Sequence, residues 1–125
     1  MIFIAFALFL VLFSTFASAL INESLTLSLW VKRDNSEVHP LMCKWNASAS
    51  ERSFCLYVDT DNKAKFLISE DNATWENVTS SSDVTASWRH LAAVYNKTEI
   101  AIYVDGNLEE SKAYSGGRTN ISTKL

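Results

Sequence analysis

Residues 25–32 alternate apolar and polar side chains, placing Leu25, Leu27, Leu29 and Val31 on one face and Thr26, Ser28, Trp30 and Lys32 on the other. That period of two is a strand pattern; a helix, repeating every ~3.6 residues, would scatter the four apolar groups around its circumference. Further strands are predicted at 41–45, 54–58, 65–68, 75–79, 88–95, 100–104 and 108–114. Between them, 33–37, 46–52, 59–62 and 70–73 read as polar turns, 80–83 as a polar connector, and the chain from Gly116 onward as a frayed tail. Asn, Asp and Ser suit such turns because their side chains bond to their own backbone. Asp105-Gly106 is the strongest hairpin signal, since a type I′ turn needs positive φ at both central residues. Short strands at this spacing, with no helix-period segment, predict an all-β sandwich or barrel.

The N-terminal stretch follows a different rule. Met1 to Phe13 contains no polar side chain, and small residues follow, ending in Ala17-Ser18-Ala19. A small-x-small ending after an apolar run is what signal peptidase cleaves, so 1–19 reads as a signal peptide and 20–125 as one mature domain. An uncleaved membrane anchor is the competing reading, because 2–21 approaches the ~20 residues that span a bilayer. Either address places the domain outside the cytoplasm, secreted or at the cell surface, with membrane contact only if the segment is uncleaved. Glycosylation acceptors of the form Asn-x-Ser/Thr occur at Asn22, Asn46, Asn72, Asn77, Asn96 and Asn120, and turn-forming asparagines with nearby hydroxyls are the plainer reading of the same text. Cys43 and Cys55 are the only cysteines. If 40–45 and 53–59 form a hairpin centred near Ala49, the two face each other at the ~4.5–5.5 Å that separates opposed Cα atoms, within disulfide reach. Two separate buried thiols are the alternative.

Composition narrows the function. The 125 residues suffice for one domain, and the formal net charge is −3 with no basic run longer than Lys32-Arg33. A nucleic-acid partner is therefore not expected.

Three segments carry a resemblance. Residues 25–32 (LTLSLWVK), Trp88-Arg89-His90-Leu91-Ala92-Ala93-Val94-Tyr95 and Ile102-Tyr103-Val104-Asp105-Gly106 resemble, in order and spacing, motifs of the laminin-G-like modules in the concanavalin-A-like lectin/glucanase superfamily. The resemblance spans about residues 22–117 and implies an antiparallel two-sheet jelly-roll sandwich used for recognition of carbohydrate or protein outside cells. Members usually carry strands before the first motif and after the last, so the sandwich is expected to be incomplete at both ends, with an unpaired edge. The resemblance also brings two chemistries to weigh. Glucanases of the superfamily pair carboxylates along one strand, whereas Glu70 and Asp71 are adjacent and would point to opposite faces. Calcium bound at the rim of related modules would need hard oxygen ligands, for which Asp59 and Asp61, with Asn62, are the weak candidates, against a plain Asx-rich turn. No resident cofactor or other metal is expected.

No serine sits in a glycine-flanked elbow, and His39 and His90 read as a strand start and a packed near-core group, so no catalytic set is predicted. Exposed aromatics can stack on sugar rings: Trp45 and Trp75, near loop ends, are the candidate ligand-binding residues, with Tyr57 and Tyr103 behind them. The expected function is a non-catalytic recognition module binding a glycan or an extracellular protein. The alternative is an accessory module within a larger secreted or surface glycan-processing enzyme.

Overall fold

The computed structural model describes residues 20–21 and 23–119, and among these every regular element is a strand. The predicted leader, 1–19, and the acceptors Asn22 and Asn120 lie outside the described residues. In chain order the strands are β1 (Leu20–Ile21), β2 (Leu25–Val31), β3 (His39–Asn46), β4 (Glu51–Val58), β5 (Lys63–Ile68), β6 (Glu76–Asp83), β7 (Arg89–Tyr95), β8 (Glu99–Val104), β9 (Asn107–Ala113) and β10 (Arg118–Thr119). They form two antiparallel four-stranded sheets, ordered β2-β7-β8-β9 and β3-β4-β5-β6, and a short ribbon of β1 with β10. The fold is the two-sheet antiparallel sandwich that the resemblance implies, one of the two architectures that the strand pattern alone allows.

Alternation places the core. From the first sheet Leu27, Leu91, Ala93, Tyr95, Ile100, Ile102 and Val104 point inward; from the second come Phe54, Leu56, Val58, Ala64, Phe66, Ile68 and Val78. Each large side chain removed from water in this way contributes about 1.5–3 kcal/mol. The Asp105-Gly106 turn has φ of 50° and 82°, as a type I′ hairpin requires. Cys43 lies directly opposite Cys55 in the β3–β4 ladder, and the two are joined in a disulfide with Cα atoms 4.0 Å apart.

Three readings are corrected. The serines of 80–83 are not a connector but the second half of β6, because Ser80 replaces missing ladder bonds: its hydroxyl accepts the Ala64 amide at 2.9 Å and donates to the Ser82 carbonyl at 2.8 Å. Residues 116–119 are docked rather than frayed. Tyr114 donates its hydroxyl to the Gly117 carbonyl, β10 pairs with β1, and buried Thr119 bonds through its amide (2.8 Å) and hydroxyl (3.1 Å) to the Ser69 carbonyl. Arg33, read as a turn residue, is only 4% exposed; it donates to the Asp59 carbonyl, Asn62 Oδ1 and the Glu37 carbonyl, tying the β2–β3 loop to the β4–β5 turn.

Strands β6 and β9 are edges on the same side of the sandwich. An edge strand presents unpaired amides, and here glutamates of β9 accept them. Glu110 takes the Thr79 amide at 2.5 Å, while Glu109 takes the Ser81 and Ser82 amides at 3.0 and 2.9 Å as well as both serine hydroxyls. A Lys112–Glu76 ion pair continues this seam. On the opposite side the β2 and β3 edges flank an apolar groove of about 300 Å³ lined by Leu27, Leu41, Met42, Cys43 and Phe54.

Two outcomes are expected. Hydrogen bonds from Ser81 and Ser82 hold the Glu109 carboxyl below its ordinary value of 4.5, so its contribution is complete above that pH and is lost as pH falls through the depressed folded value. Glu109→Gln should therefore cost about 1 kcal/mol in urea unfolding at pH 7, and the gap from wild type should narrow as pH falls through the depressed folded value. Reducing Cys43–Cys55 should lower unfolding free energy by about 2–4 kcal/mol, read from denaturant midpoints with and without reductant.

Candidate functional site

The β3–β4 hairpin and the β5–β6 loop meet at one end of the second sheet. Trp45 lies near the end of β3, just past an irregularity between Lys44 and Trp45, and Arg52 is its cross-strand partner on β4. Trp75 stands immediately before β6 and is 48% exposed. The two indoles meet edge-on, centroids 6.0 Å apart, and the Arg52 guanidinium lies 5.6 Å from the centroid of the Trp75 ring. Both predicted ligand-binding residues are thus brought together.

Arg52 organises this corner. Its amide donates to Asn72 Oδ1 at 2.9 Å, and its guanidinium donates to the Asn72 and Ala47 carbonyls, linking two loops behind the tryptophans. Asp71 shapes the loop that carries Trp75, accepting the Ala73 and Thr74 amides at 2.9 and 2.7 Å and the Thr74 hydroxyl at 2.8 Å. Those bonds hold its carboxyl below the usual range. Asp71 is therefore a turn residue, as its adjacency to Glu70 predicts.

Glu70 has a different environment. With Thr74, Trp75 and Glu76 it walls one side of a cleft of about 470 Å³, whose other side comprises Thr98 and residues 113–116. The Tyr114 ring stacks edge-on against buried Tyr95 at 5.6 Å. Burial, then the negative field of Glu70, pushes its phenol well above the ordinary range. Arg52 and Tyr114 were not singled out from sequence, and Glu70 was weighed only as half of an adjacent carboxylate pair. A hairpin centred near Ala49 would set Trp45 opposite Ser53; the register shift between Lys44 and Trp45 brings Arg52 there instead.

The remaining candidates lie elsewhere. Asp59 and Asp61 flank Lys65, whose ammonium is 2.7 Å from one carboxylate and 3.0 Å from the other. Asp59 also accepts the Thr60 amide and Asp61 the Lys63 amide, and both carboxyls are held below their usual range by these bonds. A lysine ammonium stands where a calcium ion would need these oxygens, so the pair does not fit that ion. Tyr57 adjoins this cluster, whose acidic groups add to burial in raising its phenol. His39 Nε2 bonds Asn35 Oδ1 at 2.7 Å. His90 is not a core group: it alternates with buried Leu91 and faces outward, bonding Ser28 Oγ at 2.8 Å beside the Trp30 ring at 5.3 Å. Trp30, 64% exposed, projects from the first sheet, where Tyr103 also lies, and Trp88, just before β7, is exposed to the same extent. Of the described glycosylation acceptors, Asn46, Asn77 and Asn96 are exposed and Asn72 is half-buried.

The chain is similar to several solved structures at low identity. One is a botulinum neurotoxin type C structure, described as depending on two ganglioside molecules for its passage into cells (14% identity, TM-score 0.61, covering 80% of this chain and 26% of that one). Another is a Bacteroides ovatus ATCC 8483 protein assigned a carbohydrate-binding role (13%, TM-score 0.63, 83% and 29%). A third is the LG4-5 domain pair of the mouse laminin alpha1 chain (16%, TM-score 0.56, 82% and 28%). The chain thus spans between a quarter and a third of the length of these structures. No match was found among curated proteins. The family model of the concanavalin A-like lectin/glucanases superfamily, in its laminin G form, matches residues 12–125, and the chain belongs to that family.

Proposed function

We propose that this chain is an extracytoplasmic recognition module that binds carbohydrate, without catalysis, at the Trp45–Trp75 corner. The half-exposed Trp75 ring, held by Trp45 on its edge and by Arg52, carries the reading. A fixed aromatic plane offers apolar area to the C–H face of a sugar ring, while neighbouring carboxylates and hydroxyls accept and donate to its hydroxyl groups. Its position on loops over a rigid sheet is where recognition residues concentrate. The Bacteroides ovatus protein supports a glycan. The disulfide supports an oxidising compartment, consistent with the leader read in residues 1–19 and with the sequons as glycosylation sites. Absence of catalysis is supported by the separation of Asp71, spent on its turn, from Glu70. Because Lys65 engages Asp59 and Asp61, binding is proposed to need no calcium.

A protein partner is the second reading, favoured by the exposed Trp30 on the opposite sheet and Trp88 just before β7. Aromatic surface of this kind is enriched at protein interfaces.

A glycan array probed with and without a calcium chelator tests the proposal. Hits should persist in chelator and weaken at least about tenfold in Trp75→Ala, the scale of one lost aromatic anchor. Hits that survive Trp75→Ala unchanged but vanish in Trp30→Ala would move the function to the other sheet. Arg52→Ala should leave Trp75 unsupported, lowering unfolding free energy by about 1–2 kcal/mol and shifting Trp fluorescence.

A further inference from the structure

We propose that the cleft beside Trp75 admits uncharged sugar residues and turns away acidic ones such as sialylated or sulfated units. This rests on the carbohydrate reading above and adds the class of ligand. The cleft, at about 470 Å³, lies within the ~300–1,000 Å³ of small-molecule sites. Its wall carries an aromatic plane from Trp75, hydroxyls from Thr74, Thr98 and Ser115, and the carboxylates of Glu70 and Glu76, with no lysine or arginine among the lining residues.

The two carboxylates differ. Glu76 is compensated by Lys112, whereas Glu70 has no ion-pair partner among the described residues. An ionised carboxylate accepts sugar hydroxyls in short, charge-assisted bonds, and it repels a second carboxylate or a sulfate held at the same distance. Burial first, and then the negative charge of Glu70, raise the phenol of Tyr114 on the facing wall. The cation beside the aromatic plane, Arg52, is committed to the Asn72 and Ala47 carbonyls.

Gly116 leaves room for Glu70 in the wall. A Cβ on Gly116 would overlap the Glu70 carboxylate and press on the Tyr114 ring, so a side chain there would displace the carboxylate from its place along the cleft. Gly116 has no positive φ, so space rather than backbone conformation makes it a glycine.

The test is a matched titration of the whole chain with a neutral N-acetyllactosamine oligosaccharide and its terminally sialylated form, by calorimetry or protein-observed NMR. The neutral ligand should bind at least about tenfold more tightly, a modest share of what opposed like charges cost. Glu70→Gln should weaken the neutral ligand, which loses a charge-assisted acceptor, and still close most of the gap, because the amide no longer repels the acidic form. Gly116→Ala, with an unchanged unfolding transition, should weaken the neutral ligand. Equal or tighter binding of the sialylated form, with both ligands lost in Trp75→Ala, would overturn the ligand class and leave the site intact. Binding of both that ignores Trp75→Ala, or no binding of either, would overturn the site reading and this proposal with it.

Discussion

Each four-stranded sheet has one apolar face, and in water neither face is tolerable alone. Pressing Leu91, Tyr95, Ile100 and Ile102 of one sheet against Leu56, Val58, Phe66 and Ile68 of the other removes both at once. The burial is non-directional, yet it dictates direction elsewhere. A side chain that alternates with a core residue must point outward, which is why Trp30 and His90 decorate a surface while Leu29 and Leu91 do not.

Packing of this kind solves the faces and leaves the edges. Strands β6 and β9 are both edges with free backbone groups, and the chain answers with charge. Glu109 and Glu110 reach across the gap between sheets to accept amides of β6, and Lys112 meets Glu76. A run of polar residues such as Ser80-Ser81-Ser82 can remain in a strand because side chains supply the bonds that a neighbouring backbone would otherwise give. Burial of Arg33 follows the same logic, with carbonyls of two turns and an asparagine oxygen receiving its guanidinium in place of water.

The proposed recognition end depends on the scaffold. Trp75 stays half exposed although a large indole has every hydrophobic reason to be covered. It is kept there by a turn wound around Asp71 and by Arg52 behind it. Rigid support for a solvent-facing aromatic plane limits the entropy lost when a ligand stacks on it. Glu70 lines the cleft beside it, with no ion-pair partner among the described residues.

What the sequence by itself determined is local and periodic. The alternation of 25–31, the positive-φ pair Asp105-Gly106, the cysteines placed symmetrically about a hairpin and the positions of Trp45 and Trp75 near loop ends are each read from a few neighbouring residues, because strand parity and turn chemistry act over that range. What only the tertiary structure decided is which distant segments meet. That Arg52 would serve Trp75, that Glu109 would cap β6, that Lys65 would occupy the Asp59–Asp61 pair, and that Gly116 would make room for Glu70 are contacts across 4 to 46 positions of chain. They follow from sheet order and register, which the period-two pattern leaves open, since many strand orders bury the same apolar faces equally well.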